Sequence, residues 1–260
     1  MDNLSNFGRF ALNLSKEAGK LILGFHNRRT EQIWTDKIHF KTVADNKSDA
    51  LIRKAIRESF PNHNIHSEEG EYVNKSSEYT WICDAVDGTI NLWSAFTDHF
   101  SVCIALCKND EPIVGAICVP KREEVFIAEK GRGAFLNGKK LQPLTDANIN
   151  HALVGVDSGK NRRRSHLPVL NTLLEENGIN CNLGTGCASV PLCLAASGVI
   201  HGYIATDLEP EDMAAAVIIN RQAGNKVTDL SGAEWKLGDR SIVVANPELH
   251  KNILALLVPE

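Results

Sequence analysis

No apolar run in this chain of 260 residues reaches the length of a membrane span. The first twenty residues, Met1 to Lys20, carry Asp2, Arg9, Lys16 and Glu17, so they also lack the uninterrupted core of a signal peptide. Cysteine pairs at C-x-x-C spacing are absent, as are close Cys/His pairs in zinc-ligand arrangements, which argues against a zinc site. The seven cysteines are an odd number. Cys83, Cys103, Cys107 and Cys118 lie in apolar runs, where a free thiol behaves as a small hydrophobe. That pattern suits a reducing compartment better than a disulfide framework. Excess positive charge is missing too: the formal net charge is −4, which gives no electrostatic reason to expect nucleic acid or an anionic membrane as partner. Internal repeats and low-complexity tracts do not occur. Together these absences predict a soluble, cytoplasmic protein.

What remains is ordinary globular material, 43% hydrophobic and 23% charged, long enough to bury a substantial core. Phe7, Phe10, Ala11, Leu14, Ala18 and Leu21 predict a helix with one apolar face. A second helix is expected from about Lys47 to Phe60, stopped by Pro61. Tyr79 to Cys83 reads as a buried strand ending at Asp84, with another at Asn64 to His66. Phe100–Cys107 and Ile113–Val119 flank the turn-forming Lys108-Asn109-Asp110-Glu111-Pro112 and predict a hairpin. Glu124–Ala128 is a further strand, and Gly131-Arg132-Gly133 and Asn137-Gly138 mark turns around Ala134–Leu136. After about Thr145 the texture becomes alternating: strands at Ala152–Val156, His201–Ala205 and Ser241–Ala245, and helices at Leu167–Glu176, Cys187–Ser197, Asp212–Ala223 and Leu249–Val258. The expectation is an α+β half over residues 1–145 and an α/β half over residues 146–260.

The chemistry concentrates in Trp81-Ile82-Cys83-Asp84-Ala85-Val86-Asp87-Gly88-Thr89. Two carboxylates three apart at the end of a buried strand repel each other and resist ionisation unless something compensates them. A hard divalent cation does so, because carboxylate oxygens suit Mg²⁺. Gly88 permits close backbone approach, and Thr89 opens a predicted short helix whose first amides favour phosphate. A plain Asp87-Gly88 turn, with Asp84 as a cap, is the alternative. Glu68-Glu69-Gly70 follows a strand and reads either as a second acidic strand end or as a charged loop. Asp45 and Asp212 each stand at a helix start, where capping accounts for them equally well.

Taken together, these segments resemble the inositol monophosphatase family, within the wider group that includes fructose-1,6-bisphosphatases and bisphosphate nucleotidases. D-A-V-D-G-T-I-N at Asp84–Asn91 is similar to the family's D-P-I-D-G-T-x-N, and E-D-M-A-A-A at Glu211–Ala216 to its W-D-x-A-A-G. Thr42 to Asp45 matches T-x-x-D, Glu68 and Glu69 its acidic pair, and Gly186-Cys187-Ala188-Ser189 its G-S/T-A-A turn. The run Gly133 to Gly138 is also typical, and the matches follow the family order along nearly the whole chain. The resemblance implies a five-layer αβαβα sandwich, a homodimer, and hydrolysis of a small phosphorylated metabolite by an activated water without a phosphoenzyme. It implies two or three Mg²⁺ per site: Glu68 and Asp84, with the carbonyl of Val86, hold one, Asp84, Asp87 and Asp212 hold a second, and Asp45 assists a third, weaker ion. Asp45 and Thr89 would prepare the attacking water, with Glu68 at the catalytic metal. Gly88 and Thr89 amides would receive phosphate, and Asp87, Gly186, Ala188 and Asp212 would line the substrate. Li⁺ is expected to compete with Mg²⁺.

Four positions depart from that pattern. Ala85 replaces a proline and Glu211 a tryptophan, while Ala205 stands where inositol-specific members carry a substrate-binding glutamate and His201 where aspartate is frequent. The metal residues are intact, and the hydroxyl-reading part of the pocket is altered. The basic run Lys160-Asn161-Arg162-Arg163-Arg164 reads as a solvated segment or as a contact to a second phosphate. A bisphosphatase acting on fructose 1,6-bisphosphate or a 3′-phosphonucleotide, or a regulatory binding protein retaining the fold, are the other readings.

Overall fold

The computed structural model describes residues 4–35, 40–146, 148–159, 168–169, 171–174, 178–179 and 181–257. Helices α1 (Asn6–Leu23) and α2 (Val43–Ser59) bracket a two-stranded ribbon, β1 (Ile33–Trp34) and β2 (Phe40–Lys41). Strands β3 (Asn64–Ser67), β4 (Gly70–Val73) and β5 (Tyr79–Asp87) precede the short α3 (Thr89–Ser94). Five more strands follow: β6 (Ser101–Lys108), β7 (Glu111–Val119), β8 (Glu124–Glu129), β9 (Gly133–Leu136) and β10 (Lys139–Lys140). Strands β3 to β10 form one sheet in the order β10-β9-β8-β7-β6-β5-β3-β4. The second sheet is built from β11 (Leu153–Ser158), β12 (Cys181–Leu183), β13 (Gly202–Thr206), β14 (Lys226–Thr228) and β15 (Ser241–Ala245), ordered β12-β11-β13-β15-β14. Helices α4 (Ser189–Ala196) and α5 (Pro210–Ala223) pack between the sheets, and α6 (Pro247–Leu257) lies against β15.

Side-chain alternation along each strand assigns residues to layers. Ile82, Cys103, Ala105 and Cys107 face a central core shared with α4, α5, Tyr203, Ala205, Ile242 and Val244. Their neighbours Trp81, Cys83, Ile104 and Leu106 face the opposite way, against α1 and α2. On the second sheet Val154, Val156, Ile204 and Val243 turn outward to Leu249 and Ile253 of α6. The layering is therefore helices, sheet, helices, sheet, helix, the expected αβαβα sandwich.

Several boundaries differ from the sequence expectation. Helix α2 starts at Val43 rather than Lys47 because Thr42 caps it, and the polar stretch Asp45–Asp49 lies within the helix. The hairpin turn is the two-residue Asn109-Asp110, both with positive φ (47° and 65°), while Pro112 sits within β7 beside a register shift. Strands β4 and β14 were not foreseen, and α4 begins at Ser189 rather than Cys187. The helix expected at Leu167–Glu176 falls only partly on described residues, and Lys160, Arg162, Arg163 and Arg164 lie outside them.

Gly115 on β7 sets how closely α5 approaches the first sheet. A Cβ there would stand 2.3 Å from the carbonyl oxygen of Ala215 and 2.5 Å from Ile218 Cγ2. Gly115→Ala is expected to destabilise the fold by roughly 1–3 kcal/mol through overpacking, measured as a shift of the urea midpoint. Because α5 also carries Asp212, activity should fall with stability in this variant; an unchanged midpoint would contradict the packing.

Candidate active site

In a regular strand, residues three apart point to opposite faces. Asp84 and Asp87 nevertheless share one, because β5 carries a bulge between them: Asp84 pairs with Cys103 and Asp87 with Ser101, three residues against two. The extra residue restores parity and turns both carboxylates toward the central helices. Two local bonds hold the bulge: the Val86 N–H donates to Asp84 Oδ1 at 2.8 Å, and the Ser48 hydroxyl of α2 donates to the Ala85 carbonyl at 3.0 Å. Gly88 follows with φ 87°, and a Cβ there would lie 2.6 Å from the His99 carbonyl oxygen, so only glycine fits this turn into α3.

Asp45 and Asp212 reach the same region by a shared device. Each is the third residue of its helix, and its carboxylate reaches back to accept the N–H of the N-cap residue. Asp45 Oδ2 accepts from the Thr42 N–H (2.7 Å) and hydroxyl (2.6 Å), and Asp212 Oδ2 accepts from the Glu209 N–H (2.8 Å). The capping and functional readings are thus compatible, since one oxygen caps and the other is turned elsewhere. Asp45 Oδ1 accepts from the Thr89 hydroxyl at 2.8 Å, and that hydroxyl also lies 3.1 Å from the Val86 carbonyl oxygen.

Asp87 is held from the far side by the turn before α4. The Ser189 N–H (2.7 Å) and Cys187 Sγ (3.0 Å) donate to its Oδ2, and the Ala188 N–H donates to Oδ1 (3.3 Å). Ala188 therefore bears on the site through its backbone, while Gly186, with φ 66°, lies beside Ile90 and Asn91. Glu68 sits at the β3–β4 turn, its N–H donating to the Cys83 carbonyl at 3.3 Å. Its neighbour Glu69 binds Lys41 Nζ at 2.7 Å. Buried Arg53 supports the turn from α2, donating to the Ser67 hydroxyl (2.8 Å) and the Glu71 carbonyl (2.7 Å).

Asp84, Asp87 and Asp212 each offer an oxygen within 4.8 Å of the others. Burial pushes the Asp84 carboxyl well above the usual range, and the charges of Glu68, Asp87 and Asp212 add to it, opposed by the Val86 N–H. Burial and Asp87 do the same to Asp212, against the Glu209 N–H. Carboxylates this crowded resist joint ionisation, and a bound cation reverses that balance. The donors are hard oxygens throughout, the set that suits a hard divalent ion rather than a soft one. For Glu69 burial outweighs the pull of Lys41 and raises its pKa.

His66, near the end of the first-sheet strand β3, places its Nε2 3.7 Å from Glu211 Oε2. Glu211 is 8% exposed, turned neither to open solvent nor to a hydrogen-bonding partner for Oε2 among the described residues. Cys187 is buried in the central core and also donates to Asp87. Asp157, at the end of β11, was not singled out at all. It repeats the pattern that marked Asp84, a carboxylate closing an apolar strand, which was the signal available.

The profile of the Inositol monophosphatase family matches residues 3–260. The chain is 32% identical to the fructose-1,6-bisphosphatase/inositol-1-monophosphatase of Aquifex aeolicus, covering 83% of this chain and 80% of that protein. It is 33% identical to the Nus factor SuhB of Vibrio cholerae, over 83% of this chain and 81% of that one. The structure of inositol monophosphatase from Anabaena superposes with a TM-score of 0.86 at 28% identity, covering 98% of this chain and 96% of the other. A buried carboxylate cluster that could hold metal, set between the layers of this sandwich, agrees with those likenesses, and the chain belongs to the inositol monophosphatase family of phosphoric monoester hydrolases.

Proposed function

We propose that the protein is a cytoplasmic, homodimeric, Mg²⁺-dependent phosphatase that hydrolyses a small phosphorylated metabolite, an inositol, sugar or polyol monophosphate, with water as nucleophile. The observation that carries this reading is the meeting of Asp84, Asp87 and Asp212 beside the Asp45–Thr89 hydrogen bond. Mg²⁺ held by Glu68, Asp84, Asp87, Asp212 and the Val86 carbonyl would supply charge neutralisation for the transferring phosphoryl group.

The remaining work falls to the chain. Thr89 Oγ1 gives its proton to Asp45 Oδ1 as it takes one from the attacking water, so the pair orients and deprotonates the nucleophile. Thr42 pins the other Asp45 oxygen and prevents the carboxylate from rotating away. Gly88 and Thr89 amides receive the phosphate, and the turn at Cys187–Ser189 keeps Asp87 in place. Asp212, fixed by the Glu209 N–H, lies toward the leaving group.

Phosphate release from a panel of phosphorylated metabolites, with Mg²⁺ and with a chelator, tests the reading. Hydrolysis that requires Mg²⁺ and is inhibited by Li⁺ is expected. Release from none of the esters would overturn it. A second reading, a regulatory binding role, is favoured by the likeness to a protein named Nus factor SuhB, and an inactive panel would favour it further. Bisphosphates and 3′-phosphonucleotides belong in the same panel, because the Aquifex aeolicus relative is named for fructose-1,6-bisphosphatase as well.

A further inference from the structure

The inner face of the second sheet is apolar over β13, β14 and β15, where Ala205, Val227, Ile242 and Val244 join the central core. Among the described residues two groups break that surface, Asp157 on β11 and the Tyr203 hydroxyl on β13. Val154 and Val156 face outward, so alternation places Asp157 on the inner face. The parallel register pairs Asp157 directly with Ala205. Both stand at the carboxyl ends of neighbouring parallel strands, the edge at which open α/β sheets bind ligands.

One turn ties this carboxylate to the site. Burial raises the Asp157 carboxyl above its ordinary range, opposed by the Ser158 N–H bonded to its Oδ1 at 2.8 Å and by the N–H groups of Thr185 and Gly186. The next residues of that turn, Ala188 and Ser189, donate their N–H groups to Asp87. Asp157 and Asp87 are therefore held on either side of a five-residue segment and feel each other's charge. The Tyr203 hydroxyl is fully buried without a hydrogen-bonding partner among the described residues, and the charges of Asp157, Asp87 and Asp212 all act on it. A carboxylate accepts about four hydrogen bonds and donates none when ionised. Such a group takes a hydroxyl donor and repels an anion.

On the phosphatase reading above, we propose that Asp157 is the specificity-determining acceptor of this pocket. Its carboxylate binds a hydroxyl on the leaving-group side of a polyol or sugar monophosphate and disfavours a second phosphate at that end. Asp45 and Thr89 approach from the helices of the first sheet, Asp157 from the second sheet, and Asp87 lies between them. An in-line displacement sends the leaving group away from the water, toward Asp157. The carboxylate thus occupies, from the adjacent strand, the place that Ala205 leaves without a polar group.

The test is steady-state kinetics of Mg²⁺-loaded wild type, Asp157→Ala and Asp157→Asn with three esters: inositol 1-phosphate, p-nitrophenyl phosphate and fructose 1,6-bisphosphate. Asp157→Ala is expected to raise KM for inositol 1-phosphate roughly 10–100-fold, the loss of a charge-assisted hydrogen bond. Its kcat, and both constants for p-nitrophenyl phosphate, should stay within about twofold, and KM for the bisphosphate should fall relative to wild type. Unchanged p-nitrophenyl phosphate kinetics also show that the variant is folded; if Asp157→Ala does not fold, Asp157→Asn carries the same comparison. Equal KM changes for all three esters, or none, would overturn the role of Asp157 and leave the phosphatase reading standing. Wild type inactive on all three would sink the phosphatase reading itself.

Discussion

Asp87→Asn is expected to lower kcat by roughly 10²–10³-fold, the scale of loss when one group is removed from a preorganised electrostatic site, while the fold survives. The position is demanding because both Asp87 oxygens are already acceptors, for Cys187 Sγ and the Ser189 N–H on one and the Ala188 N–H on the other. An asparagine amide has one acceptor oxygen, so its NH₂ must face one of these backbone donors, the Ser189 N–H or the Ala188 N–H. Either arrangement removes a hard anionic ligand from the cluster of Asp84, Asp87 and Asp212. In the metal-free protein the cost of facing that N–H is offset, since the change deletes one of the charges that make Asp84 and Asp212 hard to ionise, and the fold is expected to survive. The measurement is Mg²⁺-dependent phosphate release together with a chelator-treated thermal melt. Near-normal turnover would refute the assignment of Asp87.

The second large effect is a Mg²⁺-induced rise in melting temperature that grows with pH. Burial and like charges raise the folded-state pKa of Asp84 and Asp212 above the ordinary value of 3.8. Above that pH the metal-free native state binds more protons than the unfolded chain. Its stability is therefore present at low pH and lost as pH rises through the raised pKa values. A divalent cation that binds only the folded, ionised cluster restores what was lost. At a concentration of about 100 Kd the linkage is worth ~2.7 kcal/mol, or roughly 5–10 °C for a chain of this size. His250 works in the opposite sense: burial lowers its pKa from 6.5 to about 4, so this histidine destabilises the fold in acid and the penalty fades as pH rises. The clean quantity is consequently the difference between Mg²⁺ and chelator at each pH. A larger difference at pH 7.5 than at pH 5 is expected; a melting temperature indifferent to Mg²⁺ at both would remove the cation from the cluster.

The cluster shows how unevenly a site is written in a chain. Asp84 and Asp87 were legible because two carboxylates after an apolar strand have no inexpensive explanation. From local pattern alone Asp45 and Asp212 read as helix caps, and only the resemblance drew them to the site. The structure places each at the third helical position, one oxygen accepting the N-cap N–H and the other left for the site. Glu68 was legible through its place after a strand. Asp157 was passed over, although it closes Leu153–Val156 as Asp84 closes Tyr79–Cys83. Nothing along β11 says which strand lies beside it, and its meaning depends on the pairing with Ala205. His66 and Glu211 stand 145 positions apart in the numbering, a separation at which only folding makes neighbours.

By itself, the sequence determined the elements and the ingredients: apolar alternation for the strands, one-sided apolar stripes for the helices, and carboxylates too costly to stand at strand ends without a partner. The five layers came only with the family resemblance. Tertiary structure decided their directions. The register shift of β5 against β6 placed Asp84 and Asp87 on one face, where an unbroken strand would have parted them. The parallel pairing of β11 with β13 brought Asp157 to Ala205, and one turn before α4 joined it to Asp87. The physical reason is that periodicity and charge are local properties of a chain, whereas register and strand order arise from contacts between segments that the chain itself keeps far apart.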